Sequence, residues 1–109
     1  MLEPILGSVN AERVLMFILF RTEGYAREIA RYYGTDLDPI QKQLEKFEVG
    51  GVLVSKPVGK TIVYQFNPRY AFLDELQTLL KAAFGFYSKE DQDRLSNARR
   101  RPRRKGKPL

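Results

Sequence analysis

"GYAREIARYYGTDLDPIQKQLEKFEVGG", residues 24–51, sets two amphipathic periods on either side of a short turn. In the first half Ala26, Ile29, Ala30 and Tyr33 recur at the i, i+3, i+4, i+7 spacing of one helix face, and Gly34 supplies a left-handed stop. The small Ala26 and Ala30 let another helix come close. In the second half Asp38 is the expected N-cap, Pro39 stands at N1 where its missing N–H costs nothing, and Gln41 at N3 is placed to reach back to the cap. Ile40, Leu44 and Phe47 then face inward, which leaves Gln41, Lys42, Gln43, Glu45 and Lys46 on the outer and flanking faces. Two short helices joined by "GTDLD" make a helix-turn-helix pattern.

Upstream, "GSVNAERVLMFILFRTEG" predicts a helix capped by Ser8 or Asn10, running to about Arg21 and ended by Gly24. Its apolar residues cover nearly the whole circumference, so it is either central in the core or shared between core and subunit interface. Downstream of Gly50 and Gly51 the period changes. "VLVSK" and "IVYQF" read as strands, with Pro57 and Gly59 of the intervening "PVGKT" as turn residues. The hairpin tip is basic through Lys56 and Lys60. Asn67 and Pro68 are expected to end the second strand and open a long helix, in which Phe72, Leu73, Leu76, Leu79, Leu80, Ala83 and Phe84 form one apolar stripe. Ser88 followed by Asp91 predicts a further capped helix to about Ala98, its apolar face nearly empty.

Composition narrows the chemistry. The 109 residues are 43% hydrophobic and 12% aromatic, enough for one small core. There is no cysteine and no histidine, which removes disulfides, thiol chemistry, the commonest general base and the usual soft metal ligands together. The apolar run "VLMFILF" is too short to span a membrane, and a soluble cytoplasmic protein is expected. "GKT" at Gly59–Thr61 is no phosphate-binding loop, because Val54 stands where that motif needs glycine. The remaining carboxylates show no partner base or metal-ligand pattern, so no enzyme and no cofactor are expected.

The net charge of +6 is local. "RRRPRRKGK" at 99–107 holds seven of the 19 basic residues, leaving 12 basic against 13 acidic in residues 1–98. Such a block predicts a disordered arm that binds a partner or keeps the chain soluble. The expected organisation is a domain at 1–87, a short acidic helical extension at 88–98 and a basic tail at 99–109.

Helix, helix, turn, helix, hairpin, helix is the order of a winged helix-turn-helix, a mainly α fold with a β-hairpin. The run "YAREIARYYGTDLDPIQKQLEKFEVGGVLVSK" and the "GKTIVYQFNPRY" behind it resemble the ArsR-type winged-helix regulators, especially the branch associated with nucleotidyltransferase domains. The resemblance spans about Leu2 to Phe84. It implies a dimeric transcriptional repressor whose recognition helix runs from about Asp38 to Phe47 and whose wing is Val52 to Phe66, and it aligns Gln43 with a base-contacting position. Metal-sensing members use Cys and His clusters, so a metal response is not implied for this chain. A nucleotidyltransferase, if involved, would be a separate partner.

The residues themselves suit duplex DNA. The major groove admits one helix, and base edges there are read by groups such as Gln, Lys and Arg. Gln41, Lys42, Gln43 and Lys46 are the expected readers. Tyr25 and Arg27, with the start of their helix, are expected at a phosphate. Lys56, Lys60 and Thr61 would bring the wing to the backbone or minor groove, and Arg99, Arg100, Arg101, Arg103 and Arg104 would add phosphate contacts. Val14, Phe17, Phe72, Leu76, Leu79, Leu80 and Phe84 are the expected homodimer interface. The rival expectation is a winged helix used for protein–protein contact. RNA binding ranks lower, since no stacking platform of the usual kind is present.

Overall fold

The Ser8 hydroxyl opens the central helix. In the computed structural model, which describes residues 1–98, Ser8 Oγ accepts the Ala11 N–H at 3.0 Å. From there α2 (Val9–Arg21) runs through the middle of the fold behind a single-turn helix α1 (Glu3–Leu6). Val14, Leu15, Met16, Phe17 and Ile18 are all fully enclosed. A helix apolar all round finds cover only where neighbours surround it, and α2 packs against both later helices and strands. Its end differs from expectation: Thr22 at φ +76 is the left-handed residue, and its N–H bonds Ile18 O at 2.8 Å.

Gly24, freed from that role, belongs to a strand β1 (Glu23–Gly24) that the sequence pattern does not announce. A Cβ at Gly24 would lie 2.8 Å from Phe17 Cε1, so glycine is what lets the strand lie against α2. Next comes α3 (Ala26–Tyr33), stopped as expected by Gly34 at φ +65. Then α4 (Leu37–Val49) buries Ile40, Leu44 and Phe47. Its N-cap position is Asp36 rather than Asp38, so Pro39 falls at N3 and Gln41 inside the helix, away from the cap. Gly51 at φ +81 turns the chain out of α4, with Val52 N–H closing on Phe47 O at 2.9 Å.

The hairpin joins β2 (Leu53–Val58) and β3 (Thr61–Phe66) by the two-residue loop Gly59-Lys60, Gly59 taking φ +63. Pro57 lies inside β2 and not in the turn. It is tolerated there because β2 is an edge strand, the order being β1-β3-β2, all antiparallel. Asn67 Nδ2 donates to Gly51 O at 2.9 Å and fastens the sheet exit to the end of α4. Residues 67–72 are turns, and α5 begins only at Leu73, running to Phe84.

Of the expected apolar stripe, Leu80 and Ala83 are buried, Leu76, Leu79 and Phe84 pack partly on the core, and Phe72 is 62% exposed. Val14 and Phe17 are likewise fully enclosed, so these two and Leu80 have no surface left for a second copy. Finally α6 (Lys89–Ala98) starts where Ser88 Oγ accepts the Asp91 N–H at 3.1 Å. Leu95 is buried against the core, which joins this helix to the domain instead of leaving it appended. Among the described residues no helix is long and apolar enough to cross a membrane.

Candidate nucleic-acid interface

Three chain segments converge on one open cleft. The start of α3 contributes Tyr25, Ala26 and Arg27, the first turns of α4 contribute Leu37 and Gln41, and the hairpin tip contributes Lys60, Thr61 and Ile62. The cleft measures about 300 Å³. It exists because α3 and α4 cross through their small and inward residues, while the glycine turn carries β3 up beside them. Five of the residues expected to touch DNA are thereby brought together: Tyr25, Arg27, Gln41, Lys60 and Thr61. Leu37 and Ile62, 41% and 48% exposed, were not among the expected contacts. Exposed apolar residues flanking a helix start and a hairpin tip are the signal that could have marked them.

The start of α3 is less open to an anion than its position suggested. Glu28 at N3 folds back so that the Tyr25 N–H donates to Glu28 Oε1 at 3.4 Å. The carboxylate occupies the ground a phosphate would take at a helix start. Of the two residues expected at a phosphate here, Arg27 is the exposed one and Tyr25 is half-buried.

Along α4 the outward face carries Asp38, Lys42, Glu45 and Val49, the last 90% exposed. Lys42 Nζ lies 3.3 Å from Asp38 Oδ2, an i,i+4 pair with both side chains largely in solvent. Gln41 flanks this face: its Nε2 donates to Glu45 Oε2 at 3.0 Å and to the Tyr64 hydroxyl at 3.4 Å. Tyr64 is otherwise buried on β3 opposite Ser55, and burial pushes its phenol up while the Gln41 bond opposes the shift. Its role as an anchor for Gln41 follows from strand register, which no local pattern in the sequence reveals.

Two of the expected readers lie elsewhere. Gln43 is half-buried with its Oε1 enclosed and without a hydrogen-bond partner among the described residues, so it is not on the open face. A step of two residues from Gln41 is a rotation of about 200° around a helix, which is why the two glutamines part company. Lys46 turns toward α1, donating from Nζ to Leu6 O at 3.1 Å and lying 4.8 Å from the Phe47 ring centroid. Lys56 is exposed on β2, paired across the ladder with Val63, away from the cleft lining. Arg99, Arg100, Arg101, Arg103 and Arg104 lie outside the described residues.

A second cleft, of about 380 Å³, is lined by Glu12, Arg13, Tyr32, Tyr33, Tyr87 and Arg94 among others. Several of its polar groups are engaged with neighbours. Tyr87 donates to the buried Glu12, whose other oxygen accepts the Leu2 N–H at 2.6 Å, and Arg94 donates to Tyr32 O while stacking 4.1 Å over the Tyr32 ring. Arg13 donates to Asn10 Oδ1 at 3.0 Å. Burial pushes the Tyr33 phenol well up. This is a seam that ties the N-terminus, α2, α3 and α6 together. No protein-family model, curated protein or solved structure matches this chain.

Proposed function

We propose that this chain is a winged helix-turn-helix protein of ArsR type that binds duplex DNA sequence-specifically and acts as a dimeric repressor by occupying a promoter. The reading is carried by one observation: Tyr25, Arg27, Gln41, Lys60 and Thr61 share a single cleft between α3, α4 and the hairpin tip. In this reading α4 enters the major groove, Gln41 reads a base edge, and Arg27 and Lys60 hold the phosphate backbone on either side. The carboxylates of the α4 face, Asp38 and Glu45, weaken binding to arbitrary sequence and so favour selective sites. The half-covered Leu76, Leu79 and Phe84 of α5, with the exposed Phe72 beside them, supply the dimer contact.

A second reading is favoured by Val49. An apolar residue 90% exposed on the same face as Glu45 suits contact with a protein, such as a separate nucleotidyltransferase, better than contact with phosphate. Selection from a random duplex library decides between them. An inverted repeat enriched with half-sites about one helical turn apart is the expected outcome, and a library without enrichment leaves the protein-contact reading in its place.

A further inference from the structure

We infer that the open face of α4 selects a cytosine in the major groove, through Gln41 Oε1 and the Glu45 carboxylate. This rests on the duplex-binding reading above and adds to it the identity of the base. The Gln41 amide is not free to present both of its ends. Its Nε2 donates to Glu45 Oε2 at 3.0 Å and to the Tyr64 hydroxyl at 3.4 Å. A carboxylate only accepts, so the amide must turn its NH2 group toward Glu45, and that group has two hydrogens to give. Both are engaged. Tyr64, 4% exposed and held in β3 between Gly24 and Ser55, cannot follow Gln41 if it swings away.

What remains for a ligand is Oε1 of Gln41 and the outer oxygen of Glu45, both acceptors. The bidentate pairing of glutamine with adenine needs one donor and one acceptor, and this arrangement lacks the donor. Lys42 does not supply it, being drawn to Asp38 at 3.3 Å. Among the base edges in the major groove, guanine N7 and O6 and thymine O4 are acceptors and are repelled. Adenine offers N6–H2 but sets the N7 lone pair beside it. Cytosine offers N4–H2 with only a C–H alongside, so an acceptor pair meets it without conflict.

The test starts from the duplex enriched out of a random library by the full chain. Each cytosine in it is replaced in turn by 2-pyrimidinone, which keeps the ring and loses the N4 amine. One replacement is expected to lower affinity about tenfold, and the same replacement to cost less than about twofold in a Gln41→Ala/Glu45→Ala double variant. Tyr64→Phe serves as a second probe: with one Nε2 hydrogen released, adenine should gain ground against cytosine at that position. An enriched site in which no cytosine replacement matters, or one whose cost is unchanged in the double variant, overturns the inference and leaves DNA binding standing. A library with no enrichment overturns the duplex reading itself, and this inference with it. Melting curves of the variants separate lost contacts from lost folding.

Discussion

The helices α2 and α4 have the same length, 13 residues, and opposite uses of it. Seven side chains of α2 are buried, among them five in succession, whereas α4 buries only Ile40, Leu44 and Phe47. A position changed in the run from Val14 to Ile18 is a core contact changed. An α4 position changed on the outward face of Asp38, Lys42, Glu45 and Val49 alters chiefly what the surface offers a partner. The contrast separates stability from recognition in a chain this small, and it says where each kind of variant belongs.

The largest effect belongs to the centre of α2. Phe17→Ala removes a fully buried ring that packs edge-on to Tyr32 at 5.5 Å and should cost about 3–5 kcal/mol. Chemical denaturation at fixed temperature measures it directly. A loss below about 1 kcal/mol would mean that α2 is not the centre of the core.

Next in size is the Glu12 clasp, where α2 holds its one buried charge. Burial alone would push the Glu12 carboxyl up, but the Tyr87 hydroxyl, the Leu2 N–H and the Met1 amino group together bring it below the usual carboxylate value. A folded value below the unfolded one means stability that is present above the ordinary glutamate range and lost as pH falls through the folded value. Tyr87→Phe removes one of the bonds responsible and should cost about 1.5–3 kcal/mol near neutral pH. The gap between the two proteins should then narrow as Glu12 protonates. Melting temperatures of both, followed from about pH 7 to pH 2, show it, and parallel curves would mean that Glu12 is not held by Tyr87.

How much of this was legible follows from the distance over which each feature is determined. The inward face of α4, the stop at Gly34 and the two strands are set by residues within one or two turns of each other, and the pattern exposes them. The helix start at Asp36 differs from the expected one because "DLDP" offers two acids two residues apart, and α4 begins from the earlier of them without a side-chain cap bond. β1 depends on Gly24 lying beside Tyr64, forty residues on; α6 is announced by its Ser88 cap, but its docking on the domain through Leu95 and Arg94 is not. The candidate site divides in the same way. That α4 turns polar side chains outward was legible. That Gln41 would be pinned by Tyr64 required the hairpin to be in place.

On the recognition side the next effect concerns the rim of the cleft. Arg27 and Lys60 are exposed and both line it, one on α3 and one at the hairpin tip. Arg27→Ala with Lys60→Ala should weaken binding to every duplex alike and flatten the log–log salt dependence by about two, with the preferred sequence unchanged. Binding isotherms at several salt concentrations measure the slope. A change in which sequence wins would place these residues at bases instead of phosphates.

The smallest change, Asp38→Ala, tests the comparison most finely because it should move stability and recognition in opposite directions. Asp38 sits in the first turn of α4, where a negative charge suits the helix dipole, and its Oδ2 lies 3.3 Å from Lys42 Nζ. Both side chains are more than two-thirds exposed, so the pair is screened by water and its loss should cost no more than about 0.5 kcal/mol of stability, less in high salt. In the proposed duplex contact the same change removes a negative charge from the open face of α4 and releases Lys42 from its partner. Affinity should rise for all duplexes, with the salt slope steeper by about one as Lys42 takes up a phosphate. If affinity falls instead, α4 does not face DNA through this side, and the exposed Val49 and Glu45 are better understood as part of a protein-binding surface.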